Sequence, residues 1–437
     1  MNGGQNNRLL WTVAVWMVAL SVMSYVGRTA MAIAGPEIIR EFGLTETQMG
    51  TVYSAFLLSY ALLLAPGGWW ADRLGPRRAL ALITLGAAAL TALTPLAGNA
   101  AVAATLGVLP ALWVIRFLLG VMTAPLYPGC ARLTANWFPE AGRARVQGLV
   151  ISGAAIGGAL TPVLFTRLMV RFGWRTSFVL IAVTAALLAL AWYLVIRDVP
   201  EQRAAARQNV APAAFAESGA ESGAESGVWR RLLTNRNLLL LALSYFAVNY
   251  FEYIFFYWIY YYFGVVRGLG RAQSAVYTTI LLLAMAVAMP TGGWVADKLT
   301  ARRGTMAARR IVCIAGMALS ALLLFLGTSA TGTTAVVALL ALALGFCAST
   351  EGPFWAAAIE IGGKQSGTAS GILNSIGNVG GLLAPVVTPL LATRFGWAVG
   401  LYFASFLTLL GAAMWLFVSP MKSASPVIVA SESPGNA

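Results

Sequence analysis

Apolar stretches of about twenty residues recur along the whole chain, separated by short polar segments, and this pattern limits the fold more than any other feature. A helix needs roughly 20 mostly apolar residues to cross the hydrocarbon core of a bilayer. The first stretch is long and closely followed by a second, so we expect it to stay in the membrane rather than to be cleaved as a signal peptide. The pattern predicts an all-α membrane protein with twelve spans, at 11–35, 46–69, 78–98, 104–133, 144–166, 176–197, 236–263, 272–296, 309–328, 333–360, 366–391 and 397–418.

The basic residues are unevenly distributed among the segments that connect these spans. If the N-terminus is cytoplasmic, most of the 29 Lys and Arg residues fall in inside segments, whereas Arg28 and Arg116 fall within spans. Cytoplasmic loops are enriched in Lys and Arg. We therefore expect a multi-pass protein of the cell (inner) membrane with both termini in the cytoplasm. The same bias explains the net charge of +14 and suits anionic lipid of the bilayer, so no nucleic acid is expected as a partner.

The residue inventory argues against an enzyme. Histidine is absent, and Cys130, Cys313 and Cys347 lie within or beside spans without the spacing of metal ligands. A histidine general base, metal site or proton relay is thereby excluded. The phosphate-binding pattern GxxxxGK[ST] is also absent, so ATP is not expected to drive the protein. We expect no cofactor, no metal and no catalytic residue, because no nucleophile with a positioned base can be assembled.

Residues 198–235 interrupt the apolar pattern. They include the repeat AESGAESGAESG at 216–227, whose small and acidic residues cannot form a buried core. The interruption predicts a flexible cytoplasmic linker between an N-terminal six-helix bundle at 1–197 and a C-terminal six-helix bundle at 236–418. A cytoplasmic tail follows at 419–437.

The two bundles repeat each other in sequence. PGGWWADRLGPRR has its glycine pair at Gly67, and TGGWVADKLTARR has its pair at Gly292, an offset of 225 residues that also relates Asp72 to Asp297. The sequence RFGW likewise occurs at 171–174 and 394–397. Two parallel repeats of six helices imply an axis along the membrane normal and a binding site at mid-depth between the bundles. This arrangement is typical of transporters.

The repeated motif resembles the signature loop of the major facilitator superfamily, which occurs between the second and third spans and again between the eighth and ninth. The resemblance implies the major facilitator fold and transport by alternating access. Acidic side chains in such loops can accept hydrogen bonds from arginines and helix N-termini when the inside is closed, and release them on opening. We therefore assign conformational gating to Asp72, Arg73, Arg77, Asp297 and Arg302.

A narrower resemblance, to the anion:cation symporter branch, extends over nearly the whole chain. It rests on SYVGRTAMAIAGPEI at 24–38, SAFLLSYALLLAPGG at 54–68, RFLLG at 116–120, TANWFP at 134–139, YFEYIFFYW at 250–258, GPFWAA at 352–357 and GILNSIGNVGG at 371–381. Members of this branch take up sugar acids and other organic anions, so the resemblance implies a small organic anion as cargo. It also implies a carboxylate contact at Arg28 and a substrate site lined by Tyr60, Tyr253, Trp355 and Asn378.

Arg28 supports that reading on physical grounds. It lies in an apolar run that begins at Leu9, with no acidic residue before Glu37. A charged side chain in hydrocarbon costs roughly 3 kcal/mol on insertion scales, so it normally faces an aqueous cavity. Its planar guanidinium fits a carboxylate through two hydrogen bonds. Arg28 is therefore predicted to anchor the substrate, and the alternative is structural pairing with Glu252 or Glu351.

Further polar residues in the spans complete the predicted site. For Arg116 the resemblance implies two possible roles, which are to complete the anion site or to couple protonation to the conformational change, and a structural contact with backbone carbonyls is the third. Asn374 and Asn378 lie four residues apart on one helical face, and Tyr25 lies one turn before Arg28. Adding 225 to Arg28 gives Tyr253, a phenol rather than a second arginine, which favours a polyhydroxy monocarboxylate over an organophosphate.

The acidic residues define the candidates for proton coupling. Many relatives have Asp directly before the arginine of the first span and Glu seven residues after the arginine of the fourth, but Gly27 and Thr123 stand here. Glu252 and Glu351 are the remaining acids well inside spans, because Glu360 is near an inner end. The charge of a buried carboxyl can switch as a cavity opens and closes. Glu351 and Glu252 are thus predicted to carry the coupled proton.

Together these features predict a secondary carrier that imports a hexuronate or aldonate with a proton by rocker-switch alternating access. An anion exchanger or uniporter is the alternative that the two missing acids favour. A membrane receptor that senses the same ligand on a carrier fold is the alternative from another class.

Overall fold

The structure, a computed structural model, describes residues 3–138, 140–198, 230–362 and 366–418, and the regular elements in these ranges are all helical. Short 3₁₀ turns at Thr94–Gly98 and Trp415–Phe417 and a π-helical turn at Tyr262–Val266 interrupt the α-helices. The α-helices are α1 (Gly3–Phe42), α2 (Glu46–Leu74), α3 (Pro76–Leu93), α4 (Ala100–Thr105), α5 (Val108–Thr123), α6 (Leu126–Trp137), α7 (Glu140–Val195), α8 (Arg236–Tyr257), α9 (Ile259–Tyr261), α10 (Arg271–Arg303), α11 (Thr305–Ser329), α12 (Thr333–Ala348), α13 (Glu351–Gly362), α14 (Ser366–Phe395) and α15 (Trp397–Met414).

Ten segments of the described chain are long and apolar enough to cross a membrane. One of them, Gly148–Val195, has 48 residues, about twice what one crossing needs. Gly173, with φ 76° and ψ 162°, breaks this helix where the sequence predicts the connection between two spans. The second predicted span lies on α2, outside those ten segments. Each of the twelve predicted spans therefore lies on helices of the structure.

Local signals in the sequence explain where helices begin. The Thr45 side chain accepts a hydrogen bond from the backbone N–H of Gln48 at 3.1 Å, and the Gln48 side chain accepts one from the Thr45 N–H at 2.8 Å. This capping box starts α2 directly after a turn at Gly43, whose φ of 62° suits glycine. Asn235 starts α8 in a similar way, by accepting from the N–H of Leu238 at 3.1 Å.

The helices form an N-terminal half, α1 to α7, and a C-terminal half, α8 to α15. Within the first half α1 packs on α7 and α2 on α5, and within the second α8 packs on α14 and α11 on α15. Most of the predicted 198–235 linker and the 419–437 tail lie outside the described residues, so those boundaries stay predictions.

The two halves meet closely at one end of the helices, which we call the Phe42 side because α1 ends there. The Ser54 hydroxyl of α2 donates to the carbonyl of Leu382 in α14 at 2.7 Å, and the Thr279 hydroxyl of α10 donates to the carbonyl of Ala159 in α7 at 2.8 Å. At Gly50 a side chain would overlap the carbonyl of Pro385, so only glycine allows this approach. The backbones of α2 and α14 are thus in direct contact on the Phe42 side.

Aromatic residues reinforce this junction. Tyr53 of α2 stacks on Tyr257 of α8 with ring centroids 5.0 Å apart, and the Trp258 indole N–H donates to the carbonyl of Pro385 at 3.1 Å. Tyr261 donates to the carboxylate of Glu46 at 2.6 Å. The Phe42 side of the protein is therefore closed.

Candidate functional site

Arg28 of α1 is buried where the two halves meet, with 8% of its surface exposed. Its Nη2 donates to the Tyr253 hydroxyl at 2.9 Å, its Nε to the Tyr257 hydroxyl at 3.3 Å, and its Nη1 to the Tyr25 hydroxyl at 3.4 Å. Two of these phenols come from α8 in the opposite half, and the third comes from α1 itself. The guanidinium is thus held by phenols rather than by Glu252 or Glu351.

Aromatic rings surround the same guanidinium. Its central carbon lies 5.1 Å from the ring centroids of Tyr25 and Phe56, 5.4 Å from that of Tyr253 and 5.8 Å from that of Tyr60. Such contacts stabilise a desolvated cation through the ring quadrupole. They leave its net charge in place, because the rings and the phenol hydroxyls are neutral.

Arg116 of α5 supports the backbone that carries Arg28. It is 1% exposed, and its Nη2 donates to the carbonyl of Arg28 at 2.8 Å and its Nη1 to that of Gly27 at 3.4 Å. Of the three roles predicted for Arg116, the contact with backbone carbonyls is the one seen directly. Arg116 therefore holds the α1 backbone at the residue that is predicted to anchor the substrate.

A small cavity of about 30 Å³ lies beside Arg28, within the N-terminal half. Gly27 and Thr123, the two positions at which the family resemblance led us to expect acids, both line it. A side chain at Gly27 would have room, because its Cβ would lie 3.7 Å from the Thr91 hydroxyl. The Thr123 hydroxyl donates to the carbonyl of Leu119 at 2.8 Å. The two departures in sequence thus lie at one small cavity beside Arg28.

The two predicted proton carriers meet in the C-terminal half. Glu351 accepts a hydrogen bond from the Tyr245 hydroxyl at 2.7 Å, and the Trp355 indole N–H donates to the same hydroxyl at 3.2 Å. Glu252 is 4% exposed, and its Oε1 has no hydrogen-bond partner among the described residues. The two carboxyl groups are close enough to interact electrostatically. We call these four residues, Tyr245, Glu252, Glu351 and Trp355, the carboxyl cluster.

Helix α8 belongs to both the Arg28 site and the carboxyl cluster. Tyr253 contacts Arg28, and the preceding residue, Glu252, points towards Glu351. Tyr245 lies eight residues before Tyr253, or about 12 Å along the helix. The structure thus places Trp355, which was predicted to line the substrate site, within the carboxyl cluster.

The predicted asparagines lie on α14, which packs against α8. The Asn378 side chain donates to the Asn374 carbonyl at 2.9 Å and to its Oδ1 at 3.1 Å. One turn later, a Cβ at Gly381 would be 3.1 Å from the Tyr253 ring. Both asparagines are half-buried, so this face of α14 runs alongside the residues that bind Arg28.

The predicted gating residues lie at the other end of the helices, opposite the Phe42 side. The Arg77 guanidinium donates to the carbonyl of Tyr193 at 2.6 and 3.0 Å, and its backbone N–H donates to Asp198 at 2.7 Å. Asp297 and Arg302 are exposed, as is Arg73, which makes further interactions. The side chain of Asp72 lies outside the described residues. The gating role of this set stays a prediction.

Sequence reasoning missed two parts of this arrangement. Tyr257 was not among the predicted site residues, although it lies one turn after Tyr253 on the same face, which is a signal that could have found it. On the Phe42 side, Glu37 of α1 forms ion pairs with Arg40 and with Arg271 of α10. No sequence signal brings Glu37 and Arg271 together, because they are 234 residues apart.

Comparison with known proteins gives consistent results over almost the whole chain. The model of the Major Facilitator Superfamily matches residues 17–360 and 306–433. The chain is 30% identical over 421 residues to the hexuronate transporter of Bacillus subtilis, covering 95% of each protein. It is 29% identical over 409 residues to the probable sulfoacetate transporter SauU of Cupriavidus necator, covering 93% of each. It is 27% identical over 434 residues to the D-galactonate transporter of Escherichia coli, covering 96% of this chain and 97% of the relative.

Solved structures show the same fold. A bacterial homologue of the human lysosomal transporter Spinster, in an inward-facing and unoccupied conformation, superposes with a TM-score of 0.78 at 16% identity, covering 94% of this chain and 97% of the other. A D-xylose-proton symporter superposes with a TM-score of 0.70 at 17% identity, covering 93% and 98%. Two transporters of low sequence similarity thus share this helical arrangement.

Proposed function

The chain belongs to the Major Facilitator Superfamily, and from this premise we propose that it imports a small organic anion, a hexuronate or an aldonate, together with a proton. The relatives are named as transporters, so the chain is a membrane transporter and not an enzyme. Rocker-switch movement of the two halves would expose the site to each side in turn, with both termini in the cytoplasm of a bacterial inner membrane.

The observation that carries the proposal is the positive charge of Arg28 at the junction of the halves. It is 8% exposed and its hydrogen-bond partners are neutral phenols. A buried charge without an ionised partner is costly, whereas a carboxylate that binds a guanidinium through two hydrogen bonds offsets that cost. An anionic substrate is the ligand that this site favours.

The other polar groups around Arg28 favour a substrate with several hydroxyls. The hydroxyls of Tyr25, Tyr60 and Tyr253 and the amides of Asn374 and Asn378 can each donate and accept hydrogen bonds. A second arginine is lacking among the described residues that contact the guanidinium of Arg28. This composition suits one carboxylate attached to a polyhydroxy chain, and Arg116 supports the anchor through the α1 backbone.

Proton coupling is assigned to the carboxyl cluster. Glu252 lies beside Tyr253 on α8, and its carboxyl interacts with that of Glu351. Two carboxyl groups that share a buried site cannot both be charged at low cost, so the pair tends to hold one proton. Glu252 and Glu351 would therefore take up a proton in one state of the carrier and release it in the other.

A small sulfonate is the second candidate for the cargo. A sulfonate carries one negative charge on three oxygens, and three phenol hydroxyls surround the guanidinium of Arg28. The similarity to the probable sulfoacetate transporter supports this candidate as well.

The decisive experiment is uptake into proteoliposomes of labelled glucuronate, galacturonate, galactonate and sulfoacetate, with and without an inward proton gradient. Wild type is compared with Arg28→Ala and with Arg28→Lys, which keeps the charge but loses the planar fork. We expect accumulation driven by the gradient, abolished in Arg28→Ala and weak in Arg28→Lys.

Other outcomes would reject specific parts of the proposal. Unchanged uptake by Arg28→Ala would show that the anchor is elsewhere. Counterflow that ignores the gradient would indicate an exchanger or uniporter. Binding without any flux would indicate a sensing receptor.

A further inference from the structure

We infer that Tyr253 and Tyr257 occupy, in the empty carrier, the place on Arg28 that the substrate takes, and that an anion must displace them before the Phe42 side can open readily. The inference rests on the proposed function, since it concerns the same anion site. Tyr253 and Tyr257 then do more than contact the substrate, because they hold Arg28 while the carrier is empty.

The hydrogen bonds from Arg28 to Tyr253 and Tyr257 cross the junction between the two halves. Arg28 is in α1 of the N-terminal half, whereas Tyr253 and Tyr257 are in α8 of the C-terminal half. Their bonds therefore join the halves at the anion site itself. The third phenol, Tyr25, is one turn away on α1, so its hydrogen bond to Arg28 stays within the N-terminal half.

The two phenols of α8 also block access of a carboxylate to the guanidinium of Arg28. With 8% of Arg28 exposed, two of its nitrogens directed at α8 and aromatic rings around it, a carboxylate cannot bind through two hydrogen bonds while both phenols stay in place. A carboxylate is the stronger acceptor, because hydrogen bonds between two ionised groups are shorter and stronger than those to a neutral phenol. The displaced phenols can then donate to the hydroxyls or oxygens of the bound anion.

Tyr257 connects the Arg28 site to the contacts that close the Phe42 side. Tyr257 also stacks on Tyr53 of α2 at 5.0 Å, and the next residue, Trp258, binds the carbonyl of Pro385 in α14. The bonds of Arg28 are thus continuous with the layer that closes the Phe42 side. In the empty carrier they oppose opening of that side, and in the loaded carrier the anion takes their place.

Return of the empty carrier to the state open on the Phe42 side requires breaking the bonds from Arg28 to Tyr253 and Tyr257 without replacement. Return of the loaded carrier does not, because the anion already holds Arg28. Exchange of anion for anion should therefore be faster than net uptake.

The test compares Tyr253→Phe and Tyr257→Phe with the matched control Tyr25→Phe, which also removes one phenol from Arg28 but within α1. The first measurement needs no substrate. Ser54→Cys is introduced at the junction of α2 and α14, and its reaction with a membrane-impermeant maleimide is followed in the empty protein. The native Cys130, Cys313 and Cys347 are buried, so they give little background.

We expect Tyr253→Phe and Tyr257→Phe to increase labelling at Ser54→Cys about fivefold, the change in an equilibrium expected for one net hydrogen bond. Tyr25→Phe should leave it at the wild-type rate. Equal labelling in all four proteins, or an equal rise in Tyr25→Phe, would overturn the inference. Because this measurement uses no anion, its result does not depend on whether the proposed cargo is correct.

The second measurement is the ratio of exchange to net uptake of labelled galacturonate in proteoliposomes. We expect wild type to exchange several times faster than it accumulates, and the ratio to fall in Tyr253→Phe and Tyr257→Phe but not in Tyr25→Phe. A ratio that is the same in wild type and in both α8 variants would also overturn the inference. Lack of any galacturonate flux in wild type, with the labelling result intact, would instead reject that cargo.

Discussion

Arg28 and Tyr253 are hydrogen-bonded at 2.9 Å although they occupy equivalent positions in the two halves of the chain. Their separation of 225 residues is the offset that relates Gly67 to Gly292 in the repeated loop motif. Two equivalent residues of a pseudo-symmetric pair can contact each other only beside the axis that relates the halves. The bond therefore places the guanidinium of Arg28 on the central axis of the transporter, where a substrate must pass.

Replacement of Arg116 should destabilise the protein. Arg116→Ala removes the donors to the carbonyls of Gly27 and Arg28, and a buried group left without its partner costs about 1–3 kcal/mol. Thermal unfolding in detergent should show a lower midpoint, and anion affinity should fall because α1 is less well held. Arg171→Ala, at an exposed position of α7, is the control. Equal midpoints for the two variants would rule out this supporting role.

The sequence predicts the helices and the repeat of the two halves better than the contacts between them. All twelve spans and the repeat follow from the hydrophobic pattern and from short motifs, and both are local properties. The sequence also predicts Arg28 as the anchor, because a charge in an apolar run is costly wherever the helix packs.

Contacts across the junction could not be predicted, because they depend on the rotation and tilt of helices that lie far apart in sequence. Arg28 and Tyr257 are 229 residues apart, and the spacing of Tyr257 from Tyr253 does not by itself show that their face of α8 meets α1. The repeat did relate Arg28 to Tyr253, since symmetry supplies information that one helix alone does not. The backbone contacts of Arg116 were only one of three roles left open.

Substitution of the carboxyl cluster should separate coupling from transport. Glu252→Gln and Glu351→Gln keep the shape of each side chain but remove its ability to exchange a proton. We expect accumulation driven by a proton gradient to be lost in at least one variant while exchange of labelled anion survives. The measurement is gradient-driven uptake and counterflow in the same proteoliposomes.

The control for this pair is Glu360→Gln, because Glu360 forms an ion pair with Arg309 away from the cluster. It should keep its gradient-driven accumulation. Full accumulation in both Glu252→Gln and Glu351→Gln would show that the coupled proton binds elsewhere or that uptake needs no proton.

A carboxyl placed beside Arg28 should make uptake more dependent on acid. Gly27→Asp is sterically permitted, because its Cβ would lie 3.7 Å from its nearest neighbour, the Thr91 hydroxyl, beside the cavity of the N-terminal half. When ionised, the new carboxylate competes with the anion for Arg28, and when protonated at lower pH it does not. Uptake by Gly27→Asp should therefore rise as the pH falls, more steeply than in wild type.

The control for that effect is Gly27→Asn, which has the same shape but cannot ionise. Its pH profile should follow that of wild type, as measured by initial uptake rates at matched inner and outer pH. Identical profiles for Gly27→Asp and Gly27→Asn would mean that a charge at this position does not reach Arg28.

A single methyl group at Gly50 should prevent the Phe42 side from closing. A Cβ there would overlap the carbonyl of Pro385, whereas a Cβ at Gly371, also on a membrane helix, would meet nothing within 4 Å. Alanine is the better helix former at both positions, so loss of function in Gly50→Ala cannot come from helix propensity. We expect Gly50→Ala to lose uptake by about tenfold or more, the effect of a barrier raised by over ~1.4 kcal/mol, while it still binds anion from the open Phe42 side.

Gly371→Ala, the control, should transport as wild type does. Normal uptake by Gly50→Ala would show that α2 and α14 can part without loss of function, and that the contact between Gly50 and Pro385 is not part of the transport cycle.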